Sequence, residues 1–171
     1  MTVDPRIART RIDVFAATRT LLATDGAMSL TFSTIAQAAG IARKTLYAHW
    51  ESPAHLLAEF LADGHSEPLM GLEHASEAER VQAFREDIAA GLSDPATRAA
   101  ITYLMAAADA HPHAADALAA LTRTRAQQLG ELLGRASDVS DLAEVAGPVF
   151  FTRLVAGTDP STPTTIRKAL P

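Results

Sequence analysis

Five polar side chains crowd into seven consecutive positions of this sequence: Arg43, Lys44, Thr45, Tyr47 and His49. Two carry a fixed positive charge, two carry hydroxyls, and the last is an imidazole. Such a set makes non-covalent contacts: it donates hydrogen bonds to phosphate oxygens and to the edges of bases. The contacts require that all five stand outward from one short element. Residues 31–50 are patterned to arrange this. Ile35, Ala36 and Ala39 recur at helical spacing on one face, and their small side chains let a second helix cross closely. Thr31 can cap that first helix and joins the candidate DNA-binding residues, while Gly40 supplies the backbone freedom of a tight turn. Ile41 plugs the turn and Leu46 secures the following helix from beneath. A helix so held is narrow enough to enter a major groove about 12 Å wide, which is the geometry of a helix-turn-helix.

The elements around this motif read as helices almost everywhere. Alanine and leucine recur with a period near 3.6, aromatic residues are only 5%, and β-branched alternation is scarce. A first helix is predicted from about Pro5 to Ala23, with Val14, Phe15, Thr18, Leu21 and Leu22 on its buried face. The second spans Phe32 to Ala39 and the third Ala42 to Ala48. A fourth begins after Ser52 with Pro53 at its first position, where a missing N–H costs nothing, and Gly64 is expected to stop it. Ser76 with Glu79 forms a capping box, and Asp94-Pro95 opens another helix that yields near His111-Pro112. The longest uninterrupted pattern runs over 112–135. The last, 138–157, contains Pro148, which is expected to kink it. The tail from about 158 is expected to be loosely held, with a short turn at 166–170.

The stretch Gly26 to Leu57 resembles the DNA-binding head of the TetR family. It meets that pattern with Gly26, Thr31, Ile35-Ala36, Ala39-Gly40-Ile41, Thr45-Leu46-Tyr47 and His49-Trp50. The resemblance implies three helices for DNA, a linking fourth, and a helical body that binds an effector and dimerises through its last two long helices. It also implies that Tyr47 and His49 reach phosphates, that Thr45 takes a phosphate or base edge, that Arg43 and Lys44 take bases or neighbouring phosphates, and that Trp50 packs. Three positions depart from the family. Ala42 stands where a serine cap is usual, a local loss of about 0.5 to 2 kcal/mol. Lys44 replaces a common glycine, and Pro53 replaces a lysine, removing about one phosphate contact from the salt dependence.

The remainder is less informative. Met70, Phe84, Ile88, Tyr103, Met105 and Phe151 could line a pocket for an apolar small-molecule effector, or equally fill a sealed core. His111 with His113, or His65 with His74, could be imagined as metal ligands, but solvated loop histidines are the simpler expectation, and no metal or other cofactor is expected. No Ser-His-Asp order, glycine-rich phosphate loop or spaced carboxylate pair stands out, so the chain is not expected to be an enzyme. Helices 112–135 and 138–157 present more apolar surface than a thin body covers, which favours a homodimer.

The bulk composition sets the outer bounds. Among 171 residues there is no cysteine, which excludes disulfides, thiolate metal sites and cysteine nucleophiles. The net charge of −5 is unevenly spread: residues 1–50 hold six Arg or Lys against three Asp, a net of +3 that leaves −8 for the rest. A basic head on an acidic body suits double-stranded DNA at one end only. With no secretory leader or membrane-length apolar run, the expected location is cytoplasmic, with no membrane partner. The sequence thus predicts an all-α protein with a helix-turn-helix head over 1–51 and an effector-binding and dimerisation bundle over 52–171. The expected function is a ligand-responsive homodimeric repressor of a pseudo-palindromic operator. The alternative is a small-molecule binding or sequestering protein with a vestigial head.

Overall fold

The computed structural model describes residues 5–63, 69 and 71–157. All regular structure there is helical: α1 (Pro5–Thr24), a 3₁₀ turn (Ala27–Ser29), α2 (Phe32–Ala39), α3 (Arg43–His49), α4 (Pro53–Asp63), α5 (Glu77–Ser93), α6 (Pro95–Ala107), α7 (Pro112–Leu133), α8 (Val139–Phe150) and a π turn (Phe151–Val155). The all-α expectation is met. The anticipated stop at Gly64 and the tail from 158 lie outside the described residues, as does His65.

The described parts of 1–68 and 94–125 form one compact unit, and those of 69–93 and 126–171 form another. In the first unit α1 packs against α2 and α6, and α4 also packs against α6. Its interior is a continuous apolar set that includes Val14, Leu22, Ile35, Leu46, Leu56, Leu57 and Leu104. The Phe15 ring meets Phe60 edge-on at 5.9 Å and lies 6.1 Å from Trp50, tying α1 to α4 and to the residue that ends α3. Leu21, expected inside, is only half-buried. Thr18 is fully buried and its hydroxyl has no hydrogen-bond partner.

Asp94 shows how a local signal and a tertiary contact combine. Its carboxylate caps α6 by accepting from the N–H groups of Ala96 and Thr97 at 3.3 Å and from the Thr97 hydroxyl at 2.8 Å. The same carboxylate pairs with Arg19 of α1 at 2.6 Å, and the Arg19 guanidinium lies 5.2 Å from the centre of the Phe60 ring. Burial alone would raise the Asp94 pKa. The hydrogen bonds from Thr97, Arg19 and Ala96, with the Arg19 charge, outweigh it and hold the carboxyl below its usual range.

In the second unit α5 packs against α8 around Phe84, Ile88, Leu92, Leu142, Ala146 and Val149. Ser76 and Glu79 make the expected capping box: Glu79 N–H donates to Ser76 Oγ at 3.3 Å and Ser76 N–H to Glu79 Oε2 at 2.7 Å. Arg80 donates to the Leu132 carbonyl and Arg85 to that of Val145, so both guanidinium groups fasten neighbouring backbone. Helix α7 ends at Leu133, two residues before the expected boundary, because Gly134 turns left-handed at φ 70° and Arg135 N–H returns to the Gly130 carbonyl at 3.1 Å. A Cβ on Gly130 would come within 2.7 Å of the Arg135 carbonyl oxygen, so this closure needs glycine there. Pro148 sits inside α8, and the regular helix ends soon after it. At Phe151–Val155 the turn widens, with Ala156 N–H bonded to the Phe151 carbonyl and the Thr152 hydroxyl returning to Pro148 and Val149.

Candidate nucleic-acid interface

The head is built from caps outward. Thr31, in extended backbone, accepts the Thr34 N–H at 3.2 Å, and Thr31 N–H donates to the Thr34 hydroxyl oxygen at 3.0 Å. Thr34 thus takes the place of the more usual Glu or Gln in a capping box. At the other end Gly40 adopts φ 65°, ψ 29°, with its N–H bonded to Gln37 at 3.3 Å and that of Ile41 to Ala36 at 3.0 Å. This pair of bonds closes α2 and redirects the chain within two residues. Ala42 then opens α3 with no side-chain cap, and Thr45 N–H bonds the Ala42 carbonyl at 2.9 Å in a tightened first turn. The missing serine expected at this cap is a real gap in the hydrogen bonding of the α3 N-terminus.

Leu46 anchors α3 with 0% of its surface exposed. Around it Arg43, Lys44, Tyr47, Ala48 and His49 are exposed and Thr45 is half-buried. The Tyr47 ring stands edge-on to Phe32 at 4.9 Å and 87°, while the residue is still 57% exposed. Trp50 is buried, as expected of a packing residue, and its indole N–H donates to Glu59 of α4 at 3.2 Å. Glu59 also pairs with Arg11 at 3.1 Å, and Arg11 lies 3.7 Å from Asp63. Two of the head's basic residues, Arg11 and Arg19, are therefore drawn into ion pairs that brace α1, and Arg43 and Lys44 hold charge on the outward face of α3.

Thr31, Arg43, Lys44, Thr45, Tyr47 and His49 all fall within the α2–α3 unit of the head. Ala48, two residues beyond buried Leu46, is exposed beside them. The effector candidates are distributed over both units. Phe84 and Ile88 are buried on α5, and Phe151 is 61% exposed, all in the second unit. Tyr103 is half-buried and Met105 55% exposed on α6, in the first unit, and Met70 lies outside the described residues. Burial raises the Tyr103 hydroxyl pKa. No group of three or more potential metal ligands occurs among the described residues. His111 and His113 are exposed, and His113 finds a partner no local pattern revealed, Glu51 at 3.2 Å. No described helix is long and apolar enough to cross a membrane.

A short helix with a buried leucine on one side and cations, hydroxyls and imidazole on the other, set on a left-handed glycine turn, defines a helix-turn-helix DNA-binding regulator. Residues 14–60 match the family model described as bacterial regulatory proteins, tetR family. The match places a tetR-type DNA-binding head in the N-terminal part of the chain. Among solved structures the chain is similar to native NalD, the secondary repressor of the MexAB-OprM multidrug efflux pump in Pseudomonas aeruginosa. That match has a TM-score of 0.55 at 21% identity, covering 91% of this chain and 90% of that one. A second NalD structure gives a TM-score of 0.52 at 22% identity, covering 92% and 90%. No curated protein matches.

Proposed function

We propose that the chain acts as a homodimeric repressor that reads a pseudo-palindromic operator and releases it when an apolar small molecule binds the helical body. One observation carries the reading: the outward face of α3, polar and cationic, lies opposite fully buried Leu46. On this reading Tyr47 and His49 hold phosphates, Thr31 and Thr45 support them, and Arg43 and Lys44 supply the cationic contacts. Function then divides near residue 51, with 1–51 addressing DNA and 52–171 addressing effector and partner. Two copies pair through 112–135 and 138–157, and exposed Val139, Phe151 and Val155 support the second of these segments. The repressor sense follows the likeness to NalD, a secondary repressor of a multidrug efflux pump.

The test is a mobility-shift titration of the purified chain against the DNA upstream of its own and neighbouring genes, with sedimentation to read its oligomeric state. Expected are salt-sensitive, sequence-preferring binding by a dimer, and loss of that binding in the Arg43→Ala, Lys44→Ala double variant with fold retained. Failure of the wild-type chain to prefer any duplex would remove the proposal.

A further inference from the structure

We infer that Lys44 and Ala48 are the residues of α3 that face the floor of the major groove, and that each operator half-site therefore carries a guanine and a thymine about two base steps apart. The inference rests on the DNA-reading assignment above and names the bases it selects.

Successive residues of an α-helix are about 100° apart around its axis, so residues two before and two after Leu46 each point about 160° away from it. Those residues are Lys44 and Ala48, and both are exposed. With Leu46 directed into the protein, they flank the line that leads directly away from the core. Tyr47 and Thr45 lie about 100° from Leu46, and Arg43 and His49 about 60°, one of each pair on either flank. The flanks are also the constrained positions. Tyr47 leans edge-on against Phe32 at 4.9 Å, Thr45 is half-buried, and His49 lies 5.6 Å from the Trp50 ring. Flanking donors meet the phosphate walls of a groove, and the outermost line meets base edges.

The two side chains there have distinct chemistry. A lysine ammonium donates to O6 and N7 of guanine, and an alanine methyl group packs against the C5-methyl of thymine. Four residues of α-helix rise about 6 Å, and base steps are about 3.4 Å along a strand, which sets the separation at about two steps.

The experiment uses the full chain and a duplex selected by it from a random-sequence pool. Each guanine is replaced in turn by 7-deazaguanine, which lacks the N7 acceptor, and each thymine by deoxyuridine, which lacks the methyl group. In the wild-type chain, one guanine per half-site should cost about fivefold or more in affinity, and one thymine about two steps away about two- to fourfold. Lys44→Ala should abolish the guanine sensitivity alone, and Ala48→Gly the thymine sensitivity alone. Because each comparison is made within one variant, any loss of helix stability in Ala48→Gly cancels. Survival of either sensitivity in its paired variant, or absence of such a spaced pair in the selected duplex, overturns the inference while leaving DNA reading intact. Selection of no preferred duplex at all overturns the assignment on which it rests.

Discussion

Serine at position 42 should stabilise the protein without touching its core. Ala42 holds φ −73°, ψ 139°, the extended conformation of a helix cap, and it is exposed, so a hydroxyl has both the geometry and the space to accept an N–H of the first turn of α3. Replacing alanine by a capping residue contributes about 1 kcal/mol, within a range of about 0.5 to 2. With a urea slope of about 1 to 3 kcal/mol per molar, the unfolding midpoint of Ala42→Ser should rise by about 0.3 to 1 M. Trp50, the single tryptophan and buried, reports the transition by fluorescence. Ala42→Asp should gain the same cap and a further fraction of a kcal/mol, about 0.3 to 1, from its charge at the helix N-terminus. Yet it places a carboxylate beside Arg43 and Lys44. DNA affinity should fall, and the slope of log affinity against log salt should shrink by about one. Stability and binding thus separate in opposite directions in one variant. Ala42→Val, which cannot cap, should show no gain. If Ala42→Ser leaves the midpoint where it was, or Ala42→Val matches it, the uncapped start of α3 is not a weakness and the account of the turn is wrong.

Thr18→Val should raise stability by about 1 kcal/mol, since it exchanges a fully buried, unpartnered hydroxyl for a methyl group of the same shape. Thermal unfolding should show this as a rise of about 2 to 4 °C. Gly40→Ala should cost about 1 to 2 kcal/mol, because φ is +65° although nothing crowds the added carbon; Gly40→Asn should cost less in the same melt. Asp94 sets an acid limit. Its folded pKa lies below the unfolded value near 3.9, so its contribution is full above that value and is lost as pH falls through the folded pKa. Urea midpoints should therefore drop as pH is lowered from about 5 to 3, and Asp94→Asn should flatten that dependence while starting lower.

What was legible in the sequence was what is decided within a few residues. Thr31, Gly40, Pro53, the Ser76 and Glu79 pair and Asp94-Pro95 each mark a boundary by satisfying or removing backbone donors, and each acts at the boundary it marks. Buried Leu46 beneath exposed Lys44 was equally readable, because helical period fixes which side chains oppose one another. Contacts across chain distance were not. Glu51 is 62 residues from His113, and neither carries a local sign of the other. The charge count over residues 1–50 treated Arg11 and Arg19 as available to phosphate, whereas carboxylates of α4 and of the α6 cap engage them. Pro148 signalled a disturbance in α8 but not its form, a widened turn three residues later in which the Thr152 hydroxyl returns to the Pro148 carbonyl.

The edge-on seating of Tyr47 against Phe32 constrains how a protein of this design can acquire a new target. Phe32 starts the helix before the turn and Tyr47 lies in the helix after it, so rotating either helix alone would part the rings. Parting them would forfeit about 0.5 to 1.5 kcal/mol beyond the lost burial, which favours the two helices keeping their mutual orientation. Altered preference is then reached most directly through side chains outside that seat, such as Lys44 and Ala48. Exposed substitutions there that alter neither cap nor backbone usually change stability by about 0.5 kcal/mol or less, so new specificities can be sampled singly on a folded scaffold.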